Sequence, residues 1–343
     1  ESFSNSGSGT AAWISLLLLV AAIALLITSA DFFIEGAKGL ARRAGIAEVV
    51  IGLTIVSIGT SLPEILVTST AAYGGADDPA MIDLAIGNIF GSVLVQITLI
   101  LGIVVMVRPL EIRPDWLRRD GMLMLGAVIL LSLLLLWNNN LTRLEGALLV
   151  SLYIGYIWWL LTNQDKIRSD ELEIVPDVKT QGRGWTSGAY TLMVIIGLMF
   201  AIYAATQLVK IASEIAIAMK VDPAIVGMTM SGLGTSLPEL TVALMASKRS
   251  QGVAIGTLIG SNITDPMLSI GIAAMISPLT ISASSMPLIM KVVIPATIIG
   301  VVVCLLFMWT GFKFNRWEGG VLAGLYLLFL LLLEMHRRGY LVI

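Results

Sequence analysis

Long apolar runs separated by short polar stretches dominate the pattern of this 343-residue chain. Residues 12–30 and 121–137 approach or reach the roughly 18–20 apolar residues that cross a bilayer as a helix, and residues 321–333 form a shorter apolar run. The strands of a membrane barrel would instead alternate polar and apolar positions. The pattern therefore predicts an all-α polytopic membrane protein.

We predict ten transmembrane helices, five on each side of the polar segment 163–184. Their expected bounds are 12–42, 47–73, 80–106, 120–137, 141–162, 185–219, 223–247, 252–276, 285–310 and 317–335. The first and sixth helices are longer than a bilayer requires, so we expect them to tilt or to extend beyond it. The corresponding domains are residues 1–162, a loop over 163–184, and residues 185–343.

Basic residues orient these helices, because cytoplasmic loops carry an excess of Lys and Arg. An N-terminus outside the cell places most of the 21 basic residues on the inner side. Both termini are then expected outside, and the segment 163–184 is expected in the cytoplasm.

Composition supports the membrane class and excludes several functions. Hydrophobic residues make up 57% of the chain and charged residues 13%, with a mean hydropathy of +0.92, whereas soluble domains carry roughly 25% charged residues. The net charge of −2 says nothing about partners, and no basic tract suggests that the protein binds nucleic acid. The single histidine, His336, lies beside two arginines near the C-terminus, which suits an interfacial anchor better than a catalytic base. We therefore expect neither an enzyme nor a cofactor.

The hexapeptide GTSLPE occurs twice, at residues 59–64 and 234–239, an offset of 175. Downstream, IGNIFGSVLVQ at 86–96 faces IGTLIGSNITD at 255–265, an offset of 169. Because five helices is an odd number, the second half must enter the membrane from the opposite side. The sequence thus predicts two inverted five-helix repeats with a site between them at the membrane midplane.

Each GTSLPE motif places oxygen atoms inside a predicted membrane span. Serine followed three residues later by glutamate is typical of a capping box at a helix start. In mid-span the helix must first be broken, and Pro63 does this because it cannot donate a hydrogen bond to the carbonyl near Gly59. Such backbone is tolerated only where protein buries it or a hydrated cavity receives it. Freed carbonyls, hydroxyls and carboxylates suit Ca²⁺ and Na⁺, so we expect both capping and ion binding.

Further polar residues accompany the motifs. The two motif glutamates and Asp265 are expected at similar depth without a basic residue beside them, so metal ions or protons must neutralise them. Ser92 and Gln96 are four residues apart, as are Ser261 and Asp265, so each pair shares one helix face. For the two serines, helix packing beside glycine is an equally open interpretation.

The paired motifs, each followed by a helix that contains Gly-Ser, resemble the α-repeats of the calcium/cation antiporter superfamily, specifically the prokaryotic sodium/calcium exchangers. The resemblance implies that the second, third, seventh and eighth helices form the ion-binding core and that the first and sixth slide across it as gates. It implies a secondary active antiporter that exchanges Na⁺ for Ca²⁺ by alternating access at one midplane site. Potassium-dependent exchange and proton/calcium antiport are the alternatives; a cation channel is less favoured, because channels build their pore from several subunits.

The resemblance also implies the site, residue by residue, and a functional monomer in the plasma membrane whose partners are Ca²⁺, Na⁺ and the lipid bilayer. The implied metal-site residues are Glu64, Glu239, Thr60, Thr235, Ser61, Ser236, Ser92, Ser261, Asp265, Gln96, Ser57 and Gly232. The glutamates would hold Ca²⁺ with the backbone carbonyls of the motif threonines. The four serines of the motifs and their partner helices would complete Na⁺ sites, helped by carbonyls at Ser57 and Gly232. Gln96 and Asp265 would line the central position.

Four positions depart from the family pattern, and two of them, Ser57 and Gly232, replace small alanine-like positions. Gln96 stands where relatives often have Asn or Asp, and Pro266 is unexpected directly after Asp265. Asp265 also resembles the acid of the potassium-dependent branch, so the resemblance leaves K⁺ coupling open.

Overall fold

The computed structural model describes residues 5–45, 47–74, 79–164, 167, 185–218, 233–283 and 285–338. Within these residues the regular structure is helical, as predicted, apart from four two-residue strands. The sequence pattern does not predict these strands, because so short a pairing leaves no alternation of polar and apolar positions.

Helices α1 to α6 make up the first half of the chain. Their bounds are α1 Asn5–Ala44, α2 48–60, α3 Leu62–Gly74, α4 79–107, α5 Pro114–Asn138 and α6 Arg143–Thr162. They match the five predicted helices of this half, because α2 and α3 are two parts of the second one and meet at an angle of 44°.

Helices α7 to α11 make up the described part of the second half. Their bounds are α7 Ser187–Ala218, α8 Leu237–Arg249, α9 Gln251–Ile276, α10 Met286–Trp309 and α11 Arg316–Arg337. The first part of the predicted helix 223–247 lies outside the described residues, as does most of the predicted loop 163–184.

Among the described residues, eight helices are long and apolar enough to cross a membrane, and the bent pair α2–α3 makes a ninth. Helix α8 does not reach this length within the described residues, because residues 219–232, which precede it, are not among them. The chain is thus an integral membrane protein, and the full count of ten stays a prediction.

Two short antiparallel strand pairs relate the halves to each other. Strand β1 (Leu110–Glu111) follows α4 and pairs with β4 (Lys313–Phe314), which precedes α11. Strand β3 (Leu279–Thr280) follows α9 and pairs with β2 (Asn140–Leu141), which precedes α6. Strands β1 and β3 are related by the same offset as the sequence segments 86–96 and 255–265. Each half of the chain therefore makes the same strand pairing with the other half.

Wide π-helical turns also recur at matching places. Gln96–Ile100 in α4 and Asp265–Ser269 in α9 occupy equivalent positions of the two repeats. Leu117–Gly121 in α5 matches Ile289–Val293 in α10. Such turns interrupt the regular helical hydrogen bonds and are frequent at functional sites. Pro266 lies in the first turn of its π segment, where the regular bonding is already interrupted, so its place after Asp265 is compatible with a continuous helix.

Helix α2 packs so closely against α9 that the backbones of the two helices are in contact. A Cβ atom at Gly52 would lie 2.9 Å from the Gly256 Cα, and one at Gly256 would lie 2.6 Å from the Val49 carbonyl oxygen. Only glycine allows this approach, which is the usual way in which membrane helices come close. The contact brings the first motif next to the helix that carries Ser261 and Asp265.

The two longest helices, α1 with 40 residues and α7 with 32, pack against each other. At 1.5 Å per residue they are about 60 and 48 Å long, so both exceed the apolar thickness of about 30 Å, as predicted. They contact both motifs: a Cβ at Gly59 would lie 3.0 Å from Leu198 of α7, and Leu26 of α1 belongs to an apolar cluster with Leu237.

Candidate ion-binding site

The first GTSLPE motif breaks its helix at Ser61. The backbone there has φ −78° and ψ 3°, outside the helical range, between α2 and α3. Helical bonding continues up to this residue, since the Ser61 N–H donates to the Ser57 carbonyl oxygen at 2.9 Å. Two residues later Pro63 has no N–H to donate to Gly59. The predicted break in mid-span is confirmed.

The second motif breaks in the same way at Ser236, where φ is −90° and ψ is 6°. Residues 233–235 are helical before the break, and α8 begins at Leu237. The predicted capping boxes are wrong, however. Ser236 caps no backbone N–H, and the Ser61 hydroxyl has no hydrogen-bond partner among the described residues. Both hydroxyls instead lie beside carboxylates of the opposite half.

Three carboxylates meet at these breaks. Glu64, Glu239 and Asp265 are fully buried. Glu64 interacts electrostatically with both other acids, and Glu239 interacts with Asp265. Within the described part of the chain none of the three forms an ion pair; the ion pairs found there lie elsewhere. The fold thus gathers three acids from the two halves of the chain, and no described basic residue forms an ion pair with them.

Ser236 links the two halves through hydrogen bonds. Its hydroxyl donates to the Glu64 Oε1 atom at 3.3 Å and accepts from the Gln96 Nε2 atom at 3.3 Å. The same Gln96 nitrogen donates to the Asp265 Oδ2 atom at 3.2 Å. Four side chains from both halves therefore form one connected chain of hydrogen bonds.

Asp265 accepts further bonds. The Ser92 hydroxyl donates to Oδ2 at 3.3 Å, the Ser269 hydroxyl donates to Oδ1 at 3.3 Å, and Ser61 lies beside the carboxylate. Sequence reasoning missed Ser269. The available signal was its position four residues after Asp265, the same spacing that linked Ser92 with Gln96.

The motif threonines cross between the halves. Thr60 Oγ1 lies 3.4 Å from Ser261 Oγ and lies beside Glu239. Conversely, Thr235 lies beside Glu64. Each threonine thus approaches the glutamate of the other motif, so the two copies make reciprocal contacts.

Several buried oxygen atoms in this cluster have no hydrogen-bond partner among the described residues. They are Glu64 Oε2, both Glu239 carboxylate oxygens, Ser61 Oγ and Gln96 Oε1. An unsatisfied buried polar atom is costly, and a hard cation would satisfy such oxygens. The described residues hold no group of three His, Cys, Asp or Glu side chains that could bind a metal by themselves, so hydroxyl, amide and carbonyl oxygens would have to complete the coordination.

Of the two residues predicted to bind Na⁺ through their carbonyl oxygens, Ser57 lies within the described residues. Ser57 is buried one turn before Ser61, and its hydroxyl donates to the Leu53 carbonyl at 2.8 Å. Its own carbonyl accepts from Ser61 and lies 3.3 Å from Thr60 Oγ1. Gly232 lies outside the described residues.

The chain is similar to known proteins over most of its length. The family model described as sodium/calcium exchanger protein matches residues 14–162 and 189–334. The sodium/calcium exchanger MaX1 of Methanosarcina acetivorans is 29% identical, over 93% of this chain and 98% of its own length. The putative antiporter CaxA of Alkalimonas amylolytica is 31% identical, over 79% and 84%.

A solved structure of the sodium-calcium exchanger NCX_Mj is similar over 92% of this chain and 97% of its own, with a TM-score of 0.75 and 27% identity. The family model alone covers most of both halves, including both motifs and the helices that supply Gln96 and Asp265. The chain therefore belongs to the sodium/calcium exchanger family.

Proposed function

We propose that this protein is a secondary active antiporter that exchanges Na⁺ for Ca²⁺ by alternating access at one shared site. The observation that carries the proposal is the meeting of three buried acids, Glu64, Glu239 and Asp265, at two helix breaks from opposite halves. A cluster with this charge, which has no ion pair to a basic residue in the described part of the chain, needs cations, and its remaining oxygens are of the kind that Ca²⁺ and Na⁺ accept.

In this proposal the two glutamates are the anionic ligands of Ca²⁺. Three of their four carboxylate oxygens have no hydrogen-bond partner among the described residues, so these atoms are available to a cation. The backbone carbonyls of Thr60 and Thr235 would complete the Ca²⁺ site. The hydroxyls of Ser61, Ser92, Ser236 and Ser261 and the carbonyls of Ser57 and Gly232 would complete the Na⁺ sites.

The gates would be α1 and α7. They are the longest helices of the described chain, and together they contact both motifs. Leu198 of α7 lies beside Gly59 of the first motif, and Leu26 of α1 lies in the apolar cluster with Leu237 of the second. Sliding of this helix pair would open the site to one side of the membrane at a time. Either ion load would balance the charge of the two glutamates, whereas in the empty site that charge would be uncompensated.

We place the protein in the plasma membrane as a functional monomer, with both termini outside. The distribution of basic residues supports this orientation. A single chain supplies the acids of both motifs, so a second subunit is not required to complete the site.

The proposal is tested by reconstituting the purified chain in vesicles and measuring Ca²⁺ uptake against opposing gradients of Na⁺, K⁺ or H⁺. We expect uptake only with the Na⁺ gradient, and no further stimulation by K⁺. Uptake that requires K⁺ or a proton gradient would instead favour one of the two alternative antiporters.

The matched variants are Glu239→Gln and Glu111→Gln. Both replace a carboxylate with an amide of the same shape, but Glu239 is fully buried in the site and Glu111 is exposed on β1. We expect Glu239→Gln to abolish Na⁺-driven uptake and Glu111→Gln to retain it. Normal uptake by folded Glu239→Gln protein would contradict the shared-site mechanism.

A further inference from the structure

Tyr153 of α6 reaches the ion-binding cluster from a helix outside the four predicted core helices. Its side chain is 2% exposed, and its hydroxyl oxygen lies 3.0 Å from Thr264 Oγ1 on α9. The same hydroxyl lies beside Ser57 on α2 and close enough to Asp265 to interact electrostatically. One phenol group thus joins three elements at the edge of the site.

The hydroxyls around Tyr153 have further acceptors within reach. The Thr264 hydroxyl also lies 2.9 Å from the Gly260 carbonyl, and either hydroxyl can donate in the contact between Tyr153 and Thr264. The Ser57 hydroxyl donates to the Leu53 carbonyl at 2.8 Å. Tyr153 has one proton, which it can donate to either of its two neighbours, Thr264 or Ser57.

The two partners of Tyr153 lie at sensitive positions. Thr264 directly precedes Asp265, where the π turn of α9 begins. Ser57 is packed so tightly on α9 that a Cβ at Gly260 would lie 2.8 Å from its Oγ atom. The phenol of Tyr153 thus contacts both sides of the α2–α9 interface.

The second half of the chain cannot build this network. Aligning β2 with β4 makes position 326 the counterpart of Tyr153, and it is also a tyrosine. At the offset of 169, Thr264 corresponds to Val95, and at the offset of 175, Ser57 corresponds to Gly232. Neither residue has a side-chain hydroxyl. Tyr326 instead packs against Phe329, with ring centroids 6.2 Å apart.

We propose that Tyr153 is a positioning residue that sets the Na⁺ affinity of one half of the site by holding Ser57 and Thr264 in register. This inference rests on the proposed function, in which the Ser57 carbonyl is a ligand of Na⁺ and not of Ca²⁺. Tyr153 itself does not contact the ion. Its loss should therefore affect the two ions differently.

The test compares Tyr153→Phe with Tyr326→Phe in proteoliposomes. Both variants remove one hydroxyl and keep the ring, so packing is conserved. For Tyr153→Phe we expect the Na⁺ concentration that gives half-maximal exchange to rise about three- to tenfold, the change expected for one hydrogen bond. For the same variant, the Ca²⁺ concentration that gives half-maximal exchange should change less than about twofold, because the affected carbonyl is a ligand of Na⁺ and not of Ca²⁺. Tyr326→Phe should leave both concentrations unchanged.

Thr264→Val provides a second test, which also serves if Tyr153→Phe cannot be purified folded. It should give the same Na⁺-selective shift, and the double variant should show no larger shift than either single one, because both changes remove one contact. Equal shifts for Na⁺ and Ca²⁺, or equal behaviour of the two tyrosine variants, would overturn the inference. Wild-type protein without Na⁺-driven uptake would instead overturn the proposed function.

Discussion

At the scale of single residues, the three acids differ in how they are held. Asp265 accepts hydrogen bonds from Gln96, Ser92 and Ser269. Glu239 has no hydrogen-bond partner on either oxygen among the described residues, and Glu64 has one only on Oε1. The glutamates are thus available to a doubly charged ion, whereas Asp265 is already engaged with neutral donors.

We expect Asp265→Asn to retain Ca²⁺ binding to within about fivefold, and Glu64→Gln to weaken it at least about thirtyfold, because removing one partner of a buried charge pair costs roughly 2–5 kcal/mol. The physical reason is that two glutamates already balance one Ca²⁺, so a third charge is not needed. Calorimetric Ca²⁺ titration of both purified variants measures the difference. Equal weakening in the two variants would show that the charges are assigned wrongly.

Protons should compete with the transported ions for the same carboxylates. A cation must displace any proton that a ligand carries, so its apparent affinity depends on pH. We therefore expect the apparent Ca²⁺ affinity of the wild type to fall as the pH is lowered from about 8 to about 5. Ca²⁺ titration across this range measures the effect, and a constant affinity would contradict it.

At the scale of secondary structure elements, the close approach of α2 and α9 positions the first motif. Gly52 and Gly256 face each other with their backbones in contact. An added side-chain atom would meet backbone atoms, which cannot move aside as a flexible side chain would. The same helices carry Ser57 and Asp265, so the glycine contact and the ion site share one interface.

We expect Gly256→Ala to lower the thermal stability and the exchange rate, because its Cβ would lie 2.6 Å from the Val49 carbonyl oxygen. Overpacking of this kind typically costs about 1–3 kcal/mol. The control is Gly126→Ala in α5, where a Cβ meets nothing within 4 Å. Thermal unfolding in detergent measures both, and the control should melt like the wild type. Equal melting temperatures for the two variants would argue against the tight α2–α9 contact.

At the scale of the whole molecule, the proposed coupling depends on the charge of the empty site. With no ion bound, buried carboxylates would have to remain uncompensated while α1 and α7 move, at a cost of about 2.5–3.5 kcal/mol for each charge at mid-membrane. Ion loading removes this cost on either side. Exchange is then favoured over one-way leakage.

We accordingly expect Ca²⁺ efflux from proteoliposomes into ion-free medium to be at least about a hundredfold slower than efflux into medium that contains Na⁺, which corresponds to the cost of a single uncompensated charge. Adding Ca²⁺ outside should also restore exchange of labelled Ca²⁺. Tracer flux measures all three conditions on the same vesicles. Rapid efflux into ion-free medium would indicate a channel or a uniporter.

The sequence by itself determined the membrane class, most helices and the repeat. Apolar runs are long enough to define helices without knowledge of their neighbours, and two identical hexapeptides at matching places identify the duplication. It also predicted which polar residues are functional, because oxygen atoms in mid-membrane are too costly to persist without a role. The described helices agree with these predictions, apart from shifts in their ends.

Only the tertiary structure decided which side chains meet. The predicted capping boxes are wrong because Ser236 reaches Glu64 of the opposite half instead of its own helix end. Ser269 and Tyr153 join the site through contacts with Asp265 and Thr264. Such partners come from the packing of helices that are far apart in sequence, such as those that carry Ser92 and Asp265. Spacing along one helix predicts which residues share a face, but the partner that the face meets is set by how the helices pack.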